Sequence, residues 1–218
     1  RKQLMGTKFN PKKNRLPMQQ NRVILHLLNV KIMPGKNSRY KNEAELIAAC
    51  AKQRSDAQRE VYEMLAPKMI AVCRRYVGDL ELAKDVVQEG FVTLFDKIGS
   101  YKGEGSFDGW ARRIFINTAL MYIRKNDVLR YSEEIETVVP TTAASGNVID
   151  NLQAADLMKL IGEMPTGFRM VFNLSVFEGC THQEIAKILN ISEGTSRSQL
   201  NRGRFWLQER IKKLDNKQ

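Results

Sequence analysis

Cysteine is scarce in this 218-residue chain, and the three present, Cys50, Cys73 and Cys180, lie far apart without C-x-x-C spacing. An odd, scattered set indicates neither a disulfide framework nor a thiolate zinc site and leaves buried free thiols as the expectation. Histidine is scarcer still. His26 and His182 have no cysteine or carboxylate cluster at ligand spacing, so no metal site is expected. The GEG at 103–105 is too short a signal for a nucleotide-cradling loop, and no cofactor is expected. No stretch of useful length alternates with a strand period, and no internal repeat is present. The strongest apolar run, residues 23–30, is broken by His26 and Asn29 and is far too short to span a bilayer. It follows a basic segment but no small-x-small cleavage site, which argues against a secretory signal; a cytoplasmic location without membrane insertion is expected.

The net charge of +11 is unevenly held. Residues 1–42 contain eleven Lys or Arg and no acid, so the remainder carries 24 basic against 24 acidic residues and is neutral as a whole. Only local charge can therefore speak about the partners of the folded body. The first 42 residues, rich in Asn, Gln and Lys and broken by Pro11, Pro17 and Pro34, are expected to form a disordered basic arm. Such an arm could contact nucleic acid or a further partner, or have no function.

From residue 43 to 128 the pattern is helical. Short helices are expected over Glu43 to Lys52 and Asp56 to Leu65, the second ended by Pro67, with a third from Pro67 towards Val77 stopping at Gly78. Asp79 is a good N-cap for a helix reaching Ile98. Ala83, Val87, Phe91, Leu94 and Ile98 form its core stripe, and Asp85, Gln88, Glu89, Val92 and Asp96 project from the other side. Its outward charge is one-sided, five acids against a single Lys between Asp79 and Asp96, so this face should repel DNA and attract a basic protein surface. After the glycine-rich loop 99–106, Ser106 caps a helix from Phe107 to about Asn126. Residues 129–150, acidic after Arg130 and holding Pro140 and Gly146, read as a flexible acidic linker. Helical pattern resumes at Asn151, pauses at Pro165 and leads through Phe168 to Phe177 into Gly179 and a last pair of helices, so the second domain is expected over residues 151–218. The fold class is all-α: two small helical domains, a helical bundle and a helix-turn-helix, on a tether.

The end of the chain carries the sharpest local signal. Thr181 and Glu184 make a T-x-x-E capping box, Asn190 should stop that helix, and Ser192 should cap the next. Ser196, Leu200, Gly203, Leu207, Ile211 and Leu214 recur at spacings of three or four as the seam of the second helix. Between Thr195 and Lys213 six Lys or Arg face one acid, Glu209, the balance a phosphate-contacting helix needs. A short capped helix, a tight turn and a polar second helix are the parts of a major-groove reader.

The helix after residue 106 is less decisive. It carries four basic residues and no acid between Ala111 and Lys125, with Arg113, Asn117, Leu120 and Arg124 spaced to share a face and Trp110, Ile114 and Met121 beside it. Tyr101, Lys102 and Phe107 frame the loop. Rings beside cations suit single-stranded nucleic acid, whose bases stack while its phosphates meet guanidinium groups. The same residues are equally consistent with core aromatics and solvated arginines. Two other readings of the chain stay open at this point: a dimeric helix-turn-helix repressor, and a nucleic-acid-processing enzyme, for which Asp85, Glu89 and Asp96 offer carboxylates on one helix face but no partner cluster.

The ordered set DVVQEGFVTLF, YKGEGSFDGWARRIFINTALMYIRK, an acidic linker and a terminal helix-turn-helix resembles the sigma-70 family of bacterial RNA polymerase sigma factors, of the extracytoplasmic-function (group IV) type, over residues of about 55 to 213. The resemblance implies a protein without catalytic residues. It implies a region 2-like domain in which Asp85, Gln88, Glu89, Val92 and Asp96 dock on the clamp helices of the polymerase largest subunit. Tyr101, Lys102, Ser106 and Phe107 would capture a flipped minus-ten base beside Trp110, with Arg113, Asn117, Arg124 and Lys125 along the non-template strand. In the region 4-like domain, Thr195, Ser196, Arg197, Ser198, Gln199, Asn201 and Arg202 would face the minus-thirty-five duplex. Core polymerase, including its flap region, and promoter DNA, duplex and single-stranded, are the implied partners, with an anti-sigma protein as a further candidate. The chain departs from the family pattern at TSRSQLNRG: Gln199 stands where an arginine is usual, and Ser196 and Gly203 stand for Val and Ala.

Overall fold

The computed structural model describes residues 39–127 and 154–215, and among them every regular element is helical. Helix α1 (Glu43–Ala51) starts at Asn42, whose side chain accepts from the Glu45 amide. Tyr40, within the expected arm, is buried and donates to Asp56 Oδ2 at 3.0 Å, so the packed chain begins before residue 43. Helix α2 (Ser55–Val77) is one continuous element with Pro67 inside it, where the sequence predicted two helices separated at that proline. Pro67 is solvent-exposed, and its neighbours Leu65, Ala66 and Met69 are buried. Burial on both sides of the proline outweighs the single missing amide hydrogen bond. Gly78 ends α2 in the left-handed region at φ 84°.

Asp79 caps α3 (Leu80–Lys97), accepting from the Leu82 amide, and all five residues of the expected core stripe are buried. A tight turn, Ile98–Ser100, leads to the loop before α4 (Phe107–Asp127). Helices α2, α3 and α4 pack on one another around Tyr76, Phe91, Phe107 and Phe115. One close approach has no signal in the periodicity. Gly90 of α3 lies under the Phe115 ring, where an added Cβ would meet Cδ1 at 2.4 Å.

The second module comprises α5 (Ala154–Glu163), α6 (Thr166–Phe172), a wide turn at Asn173–Phe177, α7 (His182–Leu189) and α8 (Glu193–Asp215). Both halves of the Thr181–Glu184 capping box form, and Asn190 closes α7 with φ 56°. Ser192 accepts from the Thr195 amide at 3.0 Å. The expected seam of α8 faces inward at Ser196, Leu200, Gly203 and Ile211, while Leu214 is 38% exposed. Gly203 sits where a Cβ would stand 3.3 Å from both Met164 Sδ and Phe168 Cβ, so the smaller residue lets α8 close on α6. The two modules touch: α2 packs against α5 and α6. The linker expected at 129–150 lies outside the described residues.

Candidate nucleic-acid and partner interfaces

Three surfaces carry the expected functional residues. On α3, Asp85, Gln88, Glu89, Val92 and Asp96 are all exposed, so the acidic face expected from the spacing is present, with Val92 as an apolar centre.

On α4, Arg113, Asn117, Arg124 and Lys125 are exposed. Leu120, expected on this face, turns inward at 3% exposure, and Met121 takes its place at 65%. At 100° per residue the face drifts, and the step of four from Asn117 stays outside where the step of three rotates into the core. At the start of the helix three rings form a cluster: Tyr101 lies 5.4 Å from both Phe107 and Trp110, and Phe107 stacks on Trp110 at 5.7 Å. Phe107 is fully buried, which corrects its assignment as a base-contacting residue; it is the floor on which half-buried Tyr101 and Trp110 stand. The Tyr101 hydroxyl donates to the Gly105 carbonyl at 2.9 Å and pins the loop, which turns through Gly103 and Gly105 at φ 74° and 88°. Burial, with the nearby Glu43 carboxylate, raises the Tyr101 pKa and keeps that hydroxyl a donor. Ser106 accepts from the Gly109 amide at 3.1 Å, acting as the predicted cap, and Lys102 is exposed.

On α8, Arg197, Ser198, Asn201 and Arg202 point to solvent, Arg197 pairing with Glu193 at 2.9 Å. Thr195 is half-buried at the cap. Ser196 is fully buried and shares a hydrogen bond of 2.8 Å with His182 Nδ1, so it joins the two helices of the motif and is removed from the duplex-facing set. Gln199 is half-buried with its amide against the Gly167 backbone. Burial, then Arg197 and Arg204, lowers the His182 pKa and favours the neutral ring that the Ser196 contact uses.

A fourth cluster, between the modules, was not legible in the sequence. Glu178 receives Arg112 through two hydrogen bonds of 2.8 Å and Arg75 at 3.4 Å. Arg75 is 2% exposed and lies over the Phe177 ring at 4.2 Å. Burial and the like charge of Arg112 lower the Arg75 pKa to about 10, whereas Glu178 raises that of Arg112 against the effect of burial. The partners are 66 and 103 positions apart, so no local pattern could announce them.

The three cysteines are buried and free, as expected. Burial pushes their thiols up to about 11 for Cys50 and about 12 for Cys73 and Cys180, which opposes thiolate chemistry. Among the described residues no helix is long and apolar enough to cross a membrane, and no group of His, Cys, Asp or Glu is placed to hold a metal.

Comparison with known proteins matches Sigma-70 region 2 over residues 61–128 and Sigma-70, region 4 over residues 154–215. ECF RNA polymerase sigma factor SigE of Mycolicibacterium smegmatis is 30% identical over 158 residues, a match covering 71% of this chain and 61% of that protein. The chain thus spans under two thirds of the length of that relative. ECF RNA polymerase sigma-E factor of Escherichia coli K12 is 28% identical over 160 residues, covering 67% of this chain and 82% of that protein. Among solved structures, the sigma factor RpoE of Bartonella quintana, in complex with the anti-sigma factor NepR, aligns with a TM-score of 0.45 and 20% identity over 72% of this chain and 97% of that one.

Proposed function

This chain belongs to the sigma-70 family of RNA polymerase sigma factors, in the extracytoplasmic-function type, and on that premise we propose that it binds core RNA polymerase, brings it to particular promoters and helps open the duplex there. It does this in the cytoplasm without catalysing a reaction. Residues 43–128 form the region 2-like domain, 129–150 the linker and 151–218 the region 4-like domain.

The observation that carries the reading is the opposition of charge between neighbouring helices: α3 turns acids outward while α4 turns Arg113, Arg124 and Lys125 outward. One face suits a basic protein surface and the other a phosphate backbone. Asp85, Gln88, Glu89, Val92 and Asp96 are the polymerase-docking set. Tyr101 and Trp110, standing on Phe107, form the edge against which an unpaired minus-ten base stacks; Lys102, Arg113, Asn117, Arg124 and Lys125 receive its strand, and Met121 joins this face. Capture of unpaired bases stabilises the melted state, since a ligand shifts an equilibrium by its preference for one form. Arg197, Ser198, Asn201 and Arg202 read or grip the minus-thirty-five duplex. Two such modules on one tether gain affinity through effective concentration.

In vitro transcription with core polymerase on a promoter library tests the reading, with Asp85→Arg as the probe of docking. Reversing an exposed charge should lower polymerase affinity about tenfold, close to 1.4 kcal/mol, with helix content unchanged. Unaltered affinity would remove α3 from the interface, and a failure of the wild-type chain to direct specific starts would remove the function.

A further inference from the structure

Residues 39–51 precede the stretch matched to region 2, yet they are built into the first module. Residues 39–42 form a short strap leading into α1. Tyr40 is its anchor: it is buried, donates to Asp56 Oδ2 at 3.0 Å, and has the Arg54 guanidinium over its ring at 5.7 Å. Arg54 is itself taken by Asp56 through hydrogen bonds of 2.8 and 3.2 Å. Those bonds from Arg54 are the first cause that holds the Asp56 pKa down to about 2, so the anchor keeps its charge at neutral pH. On the other side the Lys41 amide donates to Glu45 Oε2 at 2.9 Å, and Asn42 caps α1. The strap is thus tied at both ends.

Arg39 and Lys41, on either side of Tyr40, are exposed. Among the described residues neither pairs with a carboxylate, whereas Arg54 beside them does. Two cations held on a fixed backbone, with no partner in the fold, are prepared for an anion from outside it, because little further ordering is needed on binding.

The strap enters the fold beside the base-stacking loop. Helix α1 packs on the turn Ile98–Ser100, which runs directly into Tyr101. Burial, then Asp108, raises the pKa of Glu43, the first residue of α1, and Glu43 adds to the effect of burial on Tyr101. The start of α1, the loop and the start of α4 are therefore neighbours. The loop is open on its outside: an added Cβ at Gly99, Gly103 or Gly105 would meet nothing within 4 Å.

Charge names the partner. The 38 residues before the strap add nine Lys or Arg and no acid. A run of one sign cannot pair within itself. The acidic face of α3, five acids against one Lys between Asp79 and Asp96, holds too few charges to neutralise it. Duplex DNA carries one negative charge per about 1.7 Å of its axis, and the loop beside the strap is the part of the molecule that faces an unpaired strand.

We propose that the strap Arg39–Asn42, with the basic residues that precede it, is a further DNA contact of this chain, in which Arg39 and Lys41 meet phosphates of the strand next to the base stacked at Tyr101. The placement rests on the function proposed above; the attraction to a polyanion does not. Such a contact fixes the strand in position without reading its sequence, and it makes binding more dependent on salt.

The test uses holoenzyme assembled from core polymerase and the full chain. It is titrated with a forked promoter fragment whose minus-ten strand is unpaired, and with a fully paired fragment of unrelated sequence, between about 50 and about 200 mM salt. The chains compared are the wild type, Arg39→Gln with Lys41→Gln, a chain with the nine earlier cations changed to Gln, and Lys52→Gln, an exposed cation at the far end of α1. Circular dichroism checks helix content. Each single-strand phosphate contact contributes about 0.7 to the slope of log affinity against log salt, so the double variant should flatten that slope by about 1.4 on the fork. The nine-site variant should flatten it as well, Lys52→Gln should leave it unchanged, and affinity for core polymerase should be equal throughout. An unchanged slope for the double variant overturns the contact. Altered affinity for core polymerase with an unchanged slope gives the strap a protein partner and overturns it too. A wild type that prefers the fork, with equal flattening on both fragments, overturns the placement beside the captured strand. A wild type that binds both fragments equally, with the slope still flattened in the double variant, strikes the base-capture reading and leaves the strap as a DNA contact.

Discussion

At Ser196 and His182 the two helices of the DNA-reading motif are joined by one hydrogen bond of 2.8 Å between half-buried and buried groups. The His182 pKa is lowered in the folded chain, by burial first. Its stabilising contribution is therefore present above the ordinary imidazole range and is lost as pH falls through the lowered value. The drop in melting temperature between about pH 7.5 and about pH 5.5 should be larger for the wild type than for His182→Gln, and equal drops would detach this ring from the stability of the motif. Arg202 is exposed on the same helix and makes a different prediction. Arg202→Ala should weaken duplex binding by about 1 to 3 kcal/mol if the side chain reads a base, with relaxed preference at one position, and uniformly with a shallower salt dependence if it meets phosphate; binding assays on a matched promoter panel at two salt concentrations separate these. No loss at either salt would exclude Arg202 from the interface. Ser196 shows what sequence reading could not decide: its spacing put it on the seam, its family position put it towards DNA, and only packing chose the seam.

Among elements, α2 is where local rules and tertiary structure disagree most plainly. Pro67 removes an amide donor and disfavours helix in the residue before it, yet the helix runs from Ser55 to Val77. The cost is carried by a buried face that includes Val61, Leu65, Met69, Val72 and Tyr76. Pro67→Ala should therefore raise unfolding free energy by about 1 to 3 kcal/mol, seen as a higher urea midpoint with an unchanged slope. A lower midpoint would mean that the proline favours the native helix. Capping, in contrast, was readable: Asp79, Ser106, Thr181 with Glu184, and Ser192 all accept backbone amides as their positions imply. Caps need only three or four adjacent residues, so the signal is contained in the local string.

For the molecule as a whole, connection length becomes the controlling quantity. Deleting residues 131–146 leaves a connection of about 35 Å reach, too short to bridge separated promoter elements. Footprinting with core polymerase should then show one element protected, with single-module binding retained. Protection of both elements by the shortened chain would refute the two-site arrangement. The acidic and basic faces of α3 and α4 were visible from spacing because an exposed helical stripe repeats every three to four residues. Their neighbour, the Glu178 cluster, was invisible for the opposite reason: its members are isolated in sequence and meet only because α2, α4 and the turn after α6 converge.

Local interactions thus let the chain alone determine its helical class, its capped boundaries, the acidic stripe and the helix-turn-helix, since each depends on neighbours within about one turn. Tertiary packing decided the continuity of α2, the inward turn of Leu120, Phe107 and Ser196, and the pairing of Glu178 with two distant arginines, because these depend on which surfaces exclude water together, and that is a property of the assembled core.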